Sequence, residues 1–206
     1  MIHPLIVRIT HWVNAVAMLC MVMSGWGIYD ASPLFPVRFP LWATLGGWLG
    51  GSIAWHFATM WLLAVNGLVY VAFGLASGRF RARLLPLRPQ EVVADLIRAL
   101  TFRLPHAAGR YNAVQRLLYA LVLLASMLAV ASGLALWKPV QLWWLSDLFG
   151  GYEASRRVHF AAMSGIVGFV IVHLALVILV PKTLWPMVTG RAGLESPQEA
   201  NHDFRT

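Results

Sequence analysis

The sequence predicts an all-α integral membrane protein built as a bundle of four transmembrane helices. Of its 206 residues, 59% are hydrophobic and only 12% are charged, whereas soluble domains carry about a quarter charged residues. The apolar residues are concentrated in segments with the ~20 residues that a bilayer-spanning helix requires. These four segments cover residues 7–29, 53–76, 113–137 and 158–180.

The distribution of basic residues predicts the orientation of the helices in the membrane. The net charge is +8, but it does not indicate nucleic-acid binding, because the basic residues are concentrated beside the spans. Seven arginines lie between the second and third spans, at positions 79, 81, 83, 88, 98, 103 and 110. The loops on the other side hold only Arg38, Lys138, Arg156 and Arg157. The positive-inside rule therefore places both termini and the arginine-rich loop in the cytoplasm.

The segments outside the spans are interpreted from their composition. Between residues 91 and 102 the apolar side chains fall on one face, which predicts an extra amphipathic helix on the cytoplasmic surface of the membrane. We expect residues 1–190 to form one transmembrane domain and residues 191–206 to form a polar cytoplasmic tail. Trp42, Trp48 and Trp55 near the outer face are typical of an interfacial belt. A docking surface for a partner protein is the alternative.

Four of the seven histidines lie in the predicted spans, namely His11, His56, His159 and His173. An ionisable residue in a span is costly, so it usually faces the bundle interior and has a function. His159 and His173 are fourteen residues apart, so on one helix they lie ~21 Å apart along the axis and within about 40° around it. The only cysteine, Cys20, cannot form an internal disulfide, and no C-x-x-C-H motif is present for covalent haem attachment.

Depth in the membrane pairs these histidines. His11 and His173 fall near the cytoplasmic face, and His56 and His159 fall near the outer face. Two histidines fill both axial positions of a haem iron, which suits electron transfer, so we predict two non-covalent haems b. A proton relay is disfavoured because no predicted span contains Asp or Glu. A zinc or copper cluster would need ligands that converge on one point.

Glycines and arginines near the histidines are further candidates for contacts with haem. Gly25 falls at the level of the outer pair, and Gly67 and Gly74 fall at the level of the inner pair. Each either leaves room for a macrocycle or simply allows close helix packing. Arg8 and Arg156 each precede a histidine by three residues and lie at the membrane boundary. There they are expected to bind haem propionates, the alternative being ordinary extension of the side chain to the interface.

The chain resembles the bacterial cytochrome b561 and nickel-hydrogenase-type cytochrome b family. The resemblance covers nearly the whole chain and implies haem b, four core helices, the same ligand pairing and a bacterial inner-membrane location. It rests on the histidine pair of the last span and on two N-terminal motifs, His3-Pro4-x-x-x-Arg8-x-x-His11-Trp12-x-Asn14-Ala15 and Ser24-Gly25-Trp26.

Within that family, the long cytoplasmic loop and a short run before the third span are similar to the gamma subunits of formate dehydrogenase and thiosulfate reductase. The run is Gly109-Arg110-Tyr111-Asn112-x-x-Gln115. This similarity implies a quinone site near the cytoplasmic haem, close to Asn112, with Gln115 and His173 nearby. An amide at a helix start can hydrogen-bond a quinone carbonyl, but asparagine is also a favoured helix cap.

The resemblance implies a subunit that transfers electrons between an extracytoplasmic redox protein and ubiquinone or menaquinone in the lipid bilayer. The partner would be a molybdenum enzyme, a hydrogenase or an iron–sulfur subunit, and the chain itself would carry no catalytic residue for the partner's substrate. The alternative is a superoxide oxidase of the same family, with Lys138, Arg156 and Arg157 attracting the anion to the outer face. Relatives of that kind have a shorter cytoplasmic loop, which favours the first interpretation.

Overall fold

The computed structural model describes residues 4–78, 113–181 and 184–190, and every regular element in these ranges is a helix. Four of the helices are long and apolar enough to cross a membrane, which confirms the predicted fold class for the described residues. The predicted amphipathic helix at residues 91–102 and the tail at 191–206 lie outside them. The four long helices are α1 Leu5–Ala31, α2 Leu49–Ala76, α3 Ala113–Trp137 and α5 Tyr152–Leu179.

Short helical elements flank the spans. A 3₁₀ turn, Leu41–Ala43, lies in the loop between α1 and α2, α4 (Trp143–Leu148) connects α3 to α5, and α6 (Leu184–Thr189) follows α5. Helix α5 begins six residues before the predicted span, because hydropathy marks only the part of a helix that lies in lipid. Its 28 residues correspond to ~42 Å, longer than the ~30 Å hydrocarbon core.

The long helices pack in two pairs, α1 with α2 and α3 with α5. Within each pair the backbones run side by side, but among the described residues few Cα atoms of one pair come within 8 Å of the other. Helices in direct contact have axes 8–10 Å apart, so the two pairs are more widely separated than packed neighbours. The histidines of α1, α2 and α5 meet between the pairs.

Small residues form the contact within each pair. Four serines are at most 1% exposed, Ser24 and Ser52 in the first pair and Ser132 and Ser155 in the second. Small side chains allow backbones to approach closely in membrane bundles. The loop between α1 and α2 is fixed by a turn at Gly46, whose φ of +112° and contact with the Ser52 backbone exclude a side chain there.

Candidate haem-binding sites

The structure brings the four span histidines together in two pairs. His56 of α2 lies opposite His159 of α5, with ring centroids 6.4 Å apart and ring planes at 72°. At the other end of the bundle His11 of α1 lies opposite His173 of α5, with centroids 6.2 Å apart and planes at 68°. These are the pairs that membrane depth predicted. We call them the outer site and the inner site, after the predicted orientation.

The spacing within each pair fits two axial ligands of one iron. A metal–imidazole bond is about 2.0 Å long and the nitrogen lies about 1.2 Å from the ring centre, so trans ligands have centroids about 6.4 Å apart. Among the described residues, no cluster of three or more His, Cys, Asp or Glu side chains is placed to hold a metal ion alone. A haem, which brings four nitrogens of its own, needs only the two histidines of each site. Ligation stays a prediction, and the geometry supports it.

The outer histidines are both hydrogen-bonded through Nδ1. The hydroxyl oxygen of Ser24 lies 3.0 Å from Nδ1 of His56, and that of Ser132 lies 3.1 Å from Nδ1 of His159. The carbonyl of Ala129 lies 3.0 Å from the same nitrogen of His159. Because a carbonyl only accepts, Nδ1 of His159 carries the proton and Nε2 keeps a free lone pair for iron.

Each of these serine hydroxyls is oriented by its own helix. Ser24 donates to the carbonyl of Cys20 at 2.6 Å, and Ser132 donates to the carbonyl of Leu128 at 2.5 Å. Since each hydroxyl proton is directed to a carbonyl one turn earlier, the serine oxygen faces the imidazole as an acceptor. Both outer rings are therefore held in the orientation and tautomer that leave Nε2 available.

Glycines lie directly beside both outer rings. A Cβ added to Gly25 would lie 3.5 Å from Cε1 of His56, and a Cβ added to Gly133 would lie 3.1 Å from Cε1 of His159. Gly25 is thus at the predicted level. Gly133 and the hydrogen bonds of Ser24 and Ser132 to the histidines were not predicted from the sequence. The available signal is the Ser-Gly dipeptide at the outer level of the first and third spans, which also occurs at Ser164-Gly165 in the fourth span.

The glycines predicted for the inner level both lie on α2. A Cβ added to Gly67 would meet no atom within 4 Å, and Gly74 is buried. The open side of Gly67 is compatible with a macrocycle beside it. Contact of these two glycines with a haem stays a prediction, with helix packing as the alternative.

The inner site is surrounded differently from the outer site. The His11 ring packs edge-on to Trp12 at 5.5 Å, and the His173 ring stacks on Phe169 at 5.9 Å with planes at 10°. Among the described residues, no hydrogen bond holds a ring nitrogen of either inner histidine. A polar link close to His11 in the chain comes from Asn66 of α2, whose buried amide donates to the carbonyl of Thr10 at 2.9 Å.

The two arginines predicted to bind propionates contact protein oxygens. Arg8 donates to the carbonyl of Met187 in α6 at 3.4 Å. Arg156 pairs with the carboxylate of Glu153 at 3.0 Å and also donates to Ser32 at the end of α1. Both guanidinium groups therefore tie helix ends together. A further contact with haem propionates stays a prediction.

The two residues predicted to bind quinone lie at the edge of the described chain. Asn112 is outside the described residues. Gln115 belongs to the first turn of α3, but its side chain is not among the described ones. The quinone site near the inner histidines therefore stays a prediction.

Comparisons with known proteins agree with this architecture. Residues 2–190 match the family model of prokaryotic cytochrome b561. The chain is also 54% identical over 190 residues to a bacterial protein, the putative protein-methionine-sulfoxide reductase subunit YedZ1 of Azospira oryzae. That alignment covers 92% of this chain and 96% of the relative. The family resemblance is confirmed: the chain belongs to the prokaryotic cytochrome b561 family and is a membrane-bound b-type cytochrome with an electron-transfer role.

Proposed function

We propose that this chain is a di-haem electron-transfer subunit that connects membrane quinone with an extracytoplasmic protein-methionine-sulfoxide reductase. The observation that carries the proposal is the presence of two histidine pairs at opposite ends of one bundle, with ring centroids 6.4 and 6.2 Å apart. The choice of partner is supported by the relative at 54% identity, which is named as a putative subunit of such a reductase.

The shared helix α5 makes the two sites one conducting unit. His159 and His173 lie ~21 Å apart along this helix, which is most of the ~30 Å hydrocarbon core. A continuous helix keeps that separation fixed, and the second ligand of each site comes from the other helix pair. When held by these histidine pairs, each haem would supply a one-electron centre suited to electron transfer.

The direction of electron flow in this proposal follows from the chemistry of the partner. Reduction of a methionine sulfoxide to the thioether consumes two electrons and two protons and releases one water. The subunit must therefore deliver electrons outward. Oxidation of one quinol at the inner site supplies the two electrons and releases two protons there, and the sulfoxide takes its two protons from the aqueous phase on the outer side. We place the quinol near Asn112 and Gln115, whose amides would hydrogen-bond its oxygens, on the strength of the family resemblance.

The alternative function, a superoxide oxidase, depends on positive charge at the outer face. One of its three basic residues is paired, because Arg156 lies 3.0 Å from the carboxylate of Glu153. This pairing reduces the field available to attract an anion. The structure therefore offers the alternative less support than the sequence did.

The proposal is tested with the full chain in lipid nanodiscs, a quinol, a purified extracytoplasmic protein-methionine-sulfoxide reductase from the same organism and a peptide that contains methionine sulfoxide as the final electron acceptor. We expect quinol to reduce the b-type absorption bands and the oxidised reductase to reoxidise them, with one thioether formed per quinol consumed. Bands that quinol reduces but the reductase leaves reduced would contradict the proposed partner. Rapid consumption of superoxide by the chain alone would favour the alternative function.

A further inference from the structure

The hydrogen bonds around the outer site repeat between the two helix pairs. Ser24 of α1 contacts Nδ1 of His56 on the neighbouring α2, and Ser132 of α3 contacts Nδ1 of His159 on the neighbouring α5. Both serines are fully buried, with no exposed surface. The two outer ligands thus have matching surroundings, although they come from different helix pairs.

We propose that Ser24 and Ser132 are positioning residues of the outer site, which fix the rotation and tautomer of its two histidines and lower the midpoint potential of the outer haem. The inference rests on the proposed haem ligation and goes beyond it. In this inference, two hydroxyl groups adjust the midpoint potential of one of the two haems.

The physical reason is that an imidazole whose Nδ1–H donates a hydrogen bond becomes a more basic ligand through Nε2. A more basic ligand stabilises ferric iron more than ferrous iron, because the ferric ion carries the higher charge. Each hydroxyl also donates to a carbonyl of its own helix, at Cys20 or Leu128. Such chains of hydrogen bonds polarise one another in a low-dielectric interior, which strengthens the effect.

Burial and backbone contacts set the expected size of the effect. Since neither serine is exposed to solvent, bulk water is not at hand to replace a missing hydroxyl. The carbonyl of Ala129 remains bonded to His159, and the carbonyl of Met21, also three residues before its serine, interacts with His56. Loss of a serine should therefore shift the potential without releasing the histidine from iron.

The test compares S24A, S132A and the double variant with wild type in the full chain, by potentiometric titration and by EPR of the ferric state. S155A is the matched control, because Ser155 is also fully buried but donates only to the carbonyl of Gly151, at 2.9 Å. The potentials are assigned to the two sites with a variant that lacks His159.

We expect each single variant to keep both haems and to show a higher midpoint potential at the outer haem, with a larger rise in the double variant. The inner potential and S155A should be unchanged, and the EPR g-values of the outer haem should move as its ligand rings gain rotational freedom. An unchanged outer potential in the double variant, or the same shift in S155A, would overturn the inference. If wild type bound no haem, the proposed function would fail instead, so the two failures are distinguishable.

Discussion

The outer and inner sites each consist of two histidines, but the rings are held by different kinds of contact at the two sites. At the outer site, Ser24 and Ser132 hydrogen-bond the ring nitrogens. At the inner site, the described contacts of the rings are aromatic, with Trp12 and Phe169. The centroid spacing is nearly equal at the two sites, 6.4 and 6.2 Å. The comparison indicates that the helices set the distance between ligands, whereas local neighbours set the orientation of each ring.

The two sites also differ in how they use the two helix pairs. Both outer histidines lie near the start of the second helix of a pair, so their surroundings correspond. The inner histidines do not correspond: His11 is on the first helix of one pair and His173 is on the second helix of the other. Tyr119 of α3 precedes Ser132 by thirteen residues, just as His11 precedes Ser24. Tyr70 of α2 follows His56 by fourteen residues, just as His173 follows His159. The two helix pairs are therefore alike at the outer site, where each contributes one histidine. At the corresponding inner positions, each pair has one histidine and one tyrosine.

We expect the largest effect from removing one histidine of either site, because each removal should abolish haem binding at that site alone. We predict that H159A loses the outer haem and keeps the inner one, and that H173A does the reverse, because each variant removes one axial ligand from one site only. The haem content should fall by half in each variant, as measured by absorption of the extracted haem. His106, which lies outside the predicted spans, provides the control variant H106A, for which we expect unchanged haem content. Loss of both haems from either variant, with the fold retained, would contradict the independence of the sites.

A smaller effect is expected from the glycines beside the outer rings. We predict that G133A lowers the thermal stability of outer-haem binding, because its Cβ would lie 3.1 Å from the ring of His159, closer than ordinary contact. Overpacking of this kind costs about 1–3 kcal/mol. G25A places its Cβ at an ordinary 3.5 Å from His56, and G165A, at 3.9 Å from Ala125, is the control. The measurement is haem retention on heating.

The G25A variant distinguishes contact with the histidine ring from contact with the macrocycle. If G25A were as disruptive as G133A, contact with the histidine ring would not explain the effect. The macrocycle would then be the group that excludes a side chain from Gly25, as the position of this glycine at the outer level predicts. A result in which G133A matched G165A would contradict the proposed packing against His159.

The sequence alone predicted the four long helices and which histidines lie opposite each other in the structure. Both follow from regular geometry, since a helix rises 1.5 Å per residue and the bilayer has a fixed thickness. The role of Ser132 did not follow, because serines in spans usually bond a carbonyl of their own helix, and only the packing of α3 on α5 brings this one to His159. The contact of Arg8 with α6 was also missed, since a six-residue helix is too short to be recognised from hydropathy.

The number of haems bound by the purified wild-type chain tests the two-site arrangement most directly. We expect two haems b per polypeptide, extractable without breaking a covalent bond, with low-spin ferric spectra from both. One haem per chain at full occupancy would contradict the two-site arrangement, and a colourless protein would contradict haem binding altogether.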